Sequence, residues 1–179
     1  MKLYQKLCAA VLLTCSSLAN AGVITTTGTI DAHSDVDYFS FTMDSASSLE
    51  INVLAYGYNG TYLDPYIYLY QPDVNGLFVA ANDDSLNGNW SADGSTSSLD
   101  SYLSLNLAAG DYTLAIGDFY LSDADARDGF NNSFGSSAVG DYQITFTGTG
   151  LATSVSEPGS IALFGLGLVG LGFARRRQS

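Results

Sequence analysis

Between a lysine-flanked apolar start and an arginine-ended apolar finish, the chain alternates apolar and polar residues with a period of two, the pattern of half-buried strands. Residues 23–30 are threonine-rich and read as a first strand. Phe39, Phe41 and Met43 alternate with Ser40 and Thr42 in a second, and Leu49, Ile51, Val53 and Ala55 alternate with Glu50 and Asn52 in a third. Residues 66–70 form a fourth, joined through Pro72-Asp73-Val74-Asn75-Gly76 to a fifth at 77–81; Asn75-Gly76 supplies residues that tolerate a positive φ in a hairpin turn. Leu103, Leu105 and Leu107 mark a sixth strand, Tyr112, Leu114 and Ile116 a seventh, and Tyr142, Ile144 and Phe146 an eighth. No helical period intervenes. The pattern predicts an all-β fold, an antiparallel β-sandwich of about eight strands and jelly-roll type.

The two apolar ends read differently. Lys2 and Lys6 precede an apolar stretch at 7–14, and Ala19-Asn20-Ala21 is a small-x-small cleavage site, so residues 1–21 read as a signal peptide with cleavage at Ala19 and Ala21. At the other end an uncharged apolar run, 161–174, is followed by Arg175, Arg176 and Arg177. As a helix it reaches roughly 21 Å, short of a hydrocarbon core about 30 Å thick. The arginines would stop the chain on the cytoplasmic side and leave everything upstream beyond the inner membrane. The expected organisation is signal helix 1–21, sandwich domain 22–152, and sorting and anchor segment 153–179 with its own hydrophobic helix.

Removing both ends concentrates the charge. Residues 22–156 carry 16 aspartates and Glu50 against one base, Arg127, a net charge of −16. Nucleic acid is excluded as a partner, because its affinity depends on neutralising phosphates. Both cysteines, Cys8 and Cys15, lie in the signal, so the domain has neither a disulfide nor a thiol ligand. It has one histidine, His33, no lysine and no Gly-x-Ser-x-Gly. A serine triad would have to use His33. Carboxylate pairs for glycoside hydrolysis are available in number, but so small a sandwich offers little cleft. The expectation is no enzyme.

Aspartates Asp35, Asp37, Asp83, Asp84 and Asp100 fall at strand ends or in adjoining loops, where they serve either as turn formers or as oxygen ligands. Asp123-x-Asp125-x-Arg127 fails as an EF-hand loop, since position five is arginine and position twelve is Phe134; it reads as an exposed acidic connection. Six of the 12 tyrosines lie between Tyr56 and Tyr70. Tyr56, Tyr58 and Tyr62 are a candidate platform for sugar rings, against the plainer reading of cross-strand pairs.

Ser156-Glu157-Pro158, the apolar run and the three arginines together resemble the PEP-CTERM sorting signal of Gram-negative bacteria, with serine in place of the first proline. The resemblance implies recognition and removal of the tail by an exosortase-type enzyme, a precursor held transiently at the inner membrane, and release to the cell surface or exopolysaccharide matrix. A second series is Asp35-Val36-Asp37-Tyr38-Phe39-Ser40-Phe41, Asp64-Pro65-Tyr66-Ile67-Tyr68-Leu69-Tyr70, Ala81-Asn82-Asp83-Asp84, Asp100-Ser101-Tyr102-Leu103 and Ala109-Gly110-Asp111-Tyr112-Thr113-Leu114. It looks like the bacterial pre-peptidase C-terminal domain, here without a peptidase before it. That resemblance implies calcium as a candidate cofactor at the five named aspartates. The function expected is a non-enzymatic surface or matrix protein with a structural or adhesive role. A calcium-dependent carbohydrate-binding module is the alternative, and a glycoside-cleaving enzyme a weaker one.

Overall fold

The alternation is realised strand by strand. The computed structural model describes residues 21–85, 94–95, 97–133 and 138–152. The strands are β1 (Gly22–Ile30), β2 (Asp37–Met43), β3 (Ser47–Leu54), β4 (Pro65–Gln71), β5 (Leu77–Asn82), β6 (Tyr102–Leu107), β7 (Gly110–Asp118) and β8 (Gly140–Gly148). They form two four-stranded antiparallel sheets, ordered β1-β8-β3-β6 and β2-β7-β4-β5. Pairing first with eighth, second with seventh, third with sixth and fourth with fifth is a hairpin rolled over itself, the eight-stranded jelly roll. The all-β sandwich expected from the pattern is the fold observed. The helices expected at both ends fall on residues outside those described, together with Ala19, Ser156, Glu157, Pro158, Arg175, Arg176 and Arg177; Ala21 is exposed just ahead of β1. Among the described residues no helix is long and apolar enough to cross a membrane.

The core fills from the inward positions of both sheets: Phe41 and Met43, Leu49 with Ile51 and Val53, Ile67 and Leu69, Leu114 and Ile116, Ile144 and Phe146. Phe41 stacks on Tyr112 at 5.5 Å and meets Phe146 at 5.0 Å, joining the sheets through one aromatic knot. Tyr142 lies over its cross-strand partner Gly28, where a Cβ would fall 2.2 Å from the phenol oxygen. Only glycine leaves room for that ring, which reaches Asp37 Oδ2 at 2.5 Å and so ties β8 to β2.

Two local expectations change. The turn between β4 and β5 needs no positive φ at Asn75 or Gly76. Asp73 Oδ1 accepts from Asn75 N–H at 2.8 Å, an Asx turn, and Gly76 is required by close approach, since its Cβ would stand 2.1 Å from Gln71 O. The acidic connection holds a short helix, α1 (Asp123–Asp128), which the period of the sequence does not announce. Ser122 caps it by accepting from Asp125 N–H, and Gly129 ends it in the left-handed region at φ 74°.

Helix α1 packs on the outer face of the β2-β7-β4-β5 sheet. Leu121 and Ala126 bury against Tyr68, Tyr70 and Ala115. Tyr66, Tyr68 and Tyr70 stack in a ladder, with ring centres 4.7 and 6.4 Å apart. Tyr68 donates to Leu121 O at 3.0 Å and Tyr70 to Asp123 Oδ1 at 2.9 Å. Arg127 lies 4.5 Å over the Tyr70 ring and donates to Val74 O and Gly76 O at 2.6 and 3.1 Å. Three tyrosines of the 56–70 run are therefore a ladder along one strand rather than cross-strand pairs, with Tyr68 and Tyr70 buried and Tyr66 half-buried.

Candidate functional site

The jelly-roll path gives the sandwich two unlike ends. At one end the connections are short: 44–46, 72–76 and 108–109. The described chain also enters and leaves there, because Gly22 pairs with Gly148 and Ala152 N–H donates to Thr42 O at 2.9 Å. At the other end lie the longer connections, 31–36, 55–64, 83–101 and 119–139. Sequence places most of the candidate site residues in or beside those four.

The long-loop end is organised by carboxylates. Asp100 is 1% exposed and Asp118 fully buried. Asp100 Oδ1 accepts from Ala55 N–H at 2.9 Å and Tyr56 N–H at 2.7 Å, and Oδ2 accepts from Ser95 Oγ. Asp118 Oδ1 accepts from Asn131 Nδ2 at 2.8 Å and Tyr120 N–H at 3.0 Å, while Oδ2 lies 3.2 Å from His33 Nδ1. Each carboxylate replaces strand partners that the loop backbone lacks, which is how a buried N–H is satisfied away from a ladder. Ser101 Oγ bonds both Pro65 O and Asp83 O, drawing the start of β4 and the end of β5 onto the start of β6.

Asp64 sits among these groups. Its Oδ1 is buried and makes no hydrogen bond. Burial and then the negative charges of Asp84, Asp83, Asp100 and Asp118 push its carboxyl up to about 6. Asp84 is also raised, by burial first and by Asp83 second. Of the five aspartates named as ligands, Asp83, Asp84 and Asp100 thus share a neighbourhood with Asp64 and Asp118, which the sequence reading did not single out. Asp35 and Asp37 are engaged elsewhere. Asp35 Oδ2 accepts from Asp31 N–H at 3.1 Å and Ala32 N–H at 2.8 Å, shaping the 31–36 loop, and Asp37 holds the Tyr142 phenol.

Calcium takes six to eight oxygens. Both oxygens of Asp100 already accept from protein donors. Among the described residues no three His, Cys, Asp or Glu side chains gather in a group suited to hold a metal. The described carboxylates fall short of a full calcium shell; what they leave open is the orphan oxygen of Asp64.

The tyrosine platform is divided. Tyr56 and Tyr62 form an isolated bridge and an edge-to-face pair, centres 5.4 Å apart and planes at 69°, with exposures of 39% and 58%. Tyr58 belongs to a 3-10 turn, Tyr58–Gly60, and lines a separate polar cleft of about 190 Å³ with Thr27, Thr29, Asn59 and Asp141. Asp141 accepts from Thr29 Oγ1 at 2.8 Å and Asn59 Nδ2 at 3.0 Å, bonds that lower its pKa, Asn59 most. The same device recurs where β7 opens, with Asp111 accepting from Thr42 Oγ1 at 2.7 Å. The matching Gly-Asp-Tyr openings of β7 and β8 therefore place each aspartate on a cross-strand threonine.

Comparison with known proteins bears on both regions. Residues 154–178 match the PEP-CTERM protein-sorting motif. No curated protein gives a significant match. Among solved structures the chain is similar to the pre-peptidase C-terminal domain of a collagenase from Bacillus anthracis, at 18% identity over 69% of this chain and 87% of that one, with a TM-score of 0.43. The tail pattern and the matched motif fall on the same residues. The sorting motif marks the chain as an exported, membrane-processed protein handled by an exosortase-type enzyme.

Proposed function

We propose that this is a non-enzymatic protein of the Gram-negative cell surface or extracellular matrix, exported by its N-terminal signal, held briefly at the inner membrane by its tail and released by exosortase-type cleavage, with a structural or adhesive role. The sorting motif at 154–178 is the observation that carries the reading. The jelly roll adds a direction to it. Because the described chain leaves the sandwich at the short-turn end, a tail-tethered precursor presents its long loops away from the bilayer. The one histidine lies against a buried carboxylate that also holds the 119–133 loop.

Cell fractionation tests the reading. Replacing Arg175, Arg176 and Arg177 by glutamine, or Glu157 by alanine, is expected to leave unprocessed precursor in the membrane fraction and deplete the surface fraction. An unchanged distribution and molecular mass would sink it.

A second reading is calcium-dependent carbohydrate binding at the long-loop end. It is favoured by the unpartnered Asp64 oxygen among Asp83 and Asp84, and by the exposed Tyr56–Tyr62 pair. Calcium would have to draw on loop carbonyls and water besides these carboxylates. Titrating Ca²⁺ into the protein should raise its melting temperature, and Asp64→Asn should remove the effect; a flat titration excludes this reading.

A further inference from the structure

We propose that the outer face of the β1-β8-β3-β6 sheet, with the Tyr58 cleft at its rim, is a docking surface for an uncharged polysaccharide. The proposal rests on the reading of a matrix protein and names the class of partner. Whereas α1 packs on the outer face of the opposite sheet, the one described helix that touches this sheet is the short Tyr58–Gly60 turn, which meets β8 at the rim. The pairings lay its side chains out in rows: Val23, Thr147, Glu50 and Ser104; then Thr25, Thr145, Asn52, itself buried between its neighbours, and Tyr102; then Thr27, Gln143 and Leu54. Neighbours are about 4.8 Å apart across strands and about 6.8 Å along them, a flat lattice of hydroxyls and amides. Among the described residues no hydrogen bond engages the side chains of Thr25, Thr27, Gln143, Thr145 or Thr147.

Charge selects the occupant. Of the acidic residues among those described, only Glu50 and Asp141 stand on this face, and Asp141 is already bonded by Thr29 and Asn59. A polyanion or a second copy of the chain would meet the field of a domain with net charge −16. An apolar partner would find only Val23, Leu54 and the half-buried ring of Tyr102. An uncharged sugar polymer meets neither obstacle, and its hydroxyls match the threonine and amide groups. Threonine also has the stiffness to make such bonds at low entropic cost, because its branched Cβ restricts χ1 and the sheet holds the backbone. At the rim, the cleft of about 190 Å³ lined by Tyr58 is smaller than the roughly 300–1,000 Å³ of drug-sized pockets. It has room for a single ring beside a phenol, where a chain lying on the sheet would insert one unit.

The test is native affinity electrophoresis of the full-length protein in gels cast with dextran, hydroxyethylcellulose or galactomannan, and with alginate as the acidic control. Retardation is expected in at least one uncharged gel and not in alginate. The double variant T27E/T145E should weaken it at least about tenfold, and the milder pair T25A/T147A should weaken it without altering the melting profile. No retardation in any uncharged gel overturns the proposal. So does retardation that both pairs leave intact but Tyr56→Ser/Tyr62→Ser removes, which would move the site to the loop pair. Dimerisation in sedimentation runs that the face variants abolish would instead make a second copy the occupant. Failure of the tail variants to mislocalise, with retardation intact, would overturn the sorting reading and leave this surface standing.

Discussion

The two ends of the sandwich use aspartate in opposite ways. At the short-turn end Asp73 and Asp111 are exposed and each closes one local or cross-strand bond in a structure that tight turns already hold. At the long-loop end Asp100 and Asp118 are buried, and each adds to any local bond partners supplied by other parts of the chain, Ala55 and Tyr56 for Asp100, His33 and Asn131 for Asp118. One residue type is decoration at one end and framework at the other. The difference follows from connection length: a short turn satisfies its own backbone, whereas a long loop crossing a sandwich end needs acceptors brought to it.

The largest effect should come from breaking that framework. Asp100→Ala strands the N–H groups of Ala55 and Tyr56, at about 1–3 kcal/mol for each buried group, so a loss of roughly 3–4 kcal/mol is expected in chemical denaturation. Asp73→Ala at the opposite end should cost less than about 1 kcal/mol. Equal losses would dissolve the contrast between the ends.

Arg127 joins the two regions, since α1 follows the long-loop end and the guanidinium clamps the 72–76 turn. Arg127→Gln forfeits charge-assisted bonds to Val74 O and Gly76 O and the contact over Tyr70, about 2 kcal/mol together. Faster amide exchange in both α1 and the 72–76 turn would show the coupling; exchange confined to α1 would refute it.

Asp64 gives the long-loop end a pH response. Its folded pKa, about 6, stands above the ordinary 3.8, so the folded state holds a proton that the unfolded chain releases between those values. Its contribution is present in full below about pH 4 and disappears as pH rises through 6. Asp64→Asn should therefore stabilise the protein by about 1–2 kcal/mol at pH 8, part of the full shift being discounted for screening, and flatten stability between pH 4 and 6. A variant no more stable than the parent at pH 8 would count against a raised Asp64. A small effect is also expected of Ser122→Ala, about 1 kcal/mol for one helix cap, read as lost helix order without change at the sandwich ends.

Much of the fold was legible in residues. Strand existence and the inward faces follow from alternation, because burial on one side of a sheet forces a period of two, whereas the jelly-roll order is fixed by the pairings. The sorting tail was legible for a similar reason: length, apolarity and terminal charge are local properties. The site was legible only in part. Asp83, Asp84 and Asp100 stand in plain loop positions, but nothing near Asp118 in sequence distinguishes a strand-end aspartate that solvent meets from one closed over by His33 and Asn131. Helix α1 was hidden because its two buried anchors, Leu121 and Ala126, are too few to print a helical period.

Sequence by itself determined the period, the acidity and the tail, since each depends on neighbours along the chain. Tertiary structure decided which aspartates become internal acceptors, which tyrosines are covered and which sheet face stays open. Those outcomes depend on what a rolled hairpin brings together across as many as 126 positions, as between Gly22 and Gly148. A carboxylate carries no mark of its future surroundings; the topology supplies them.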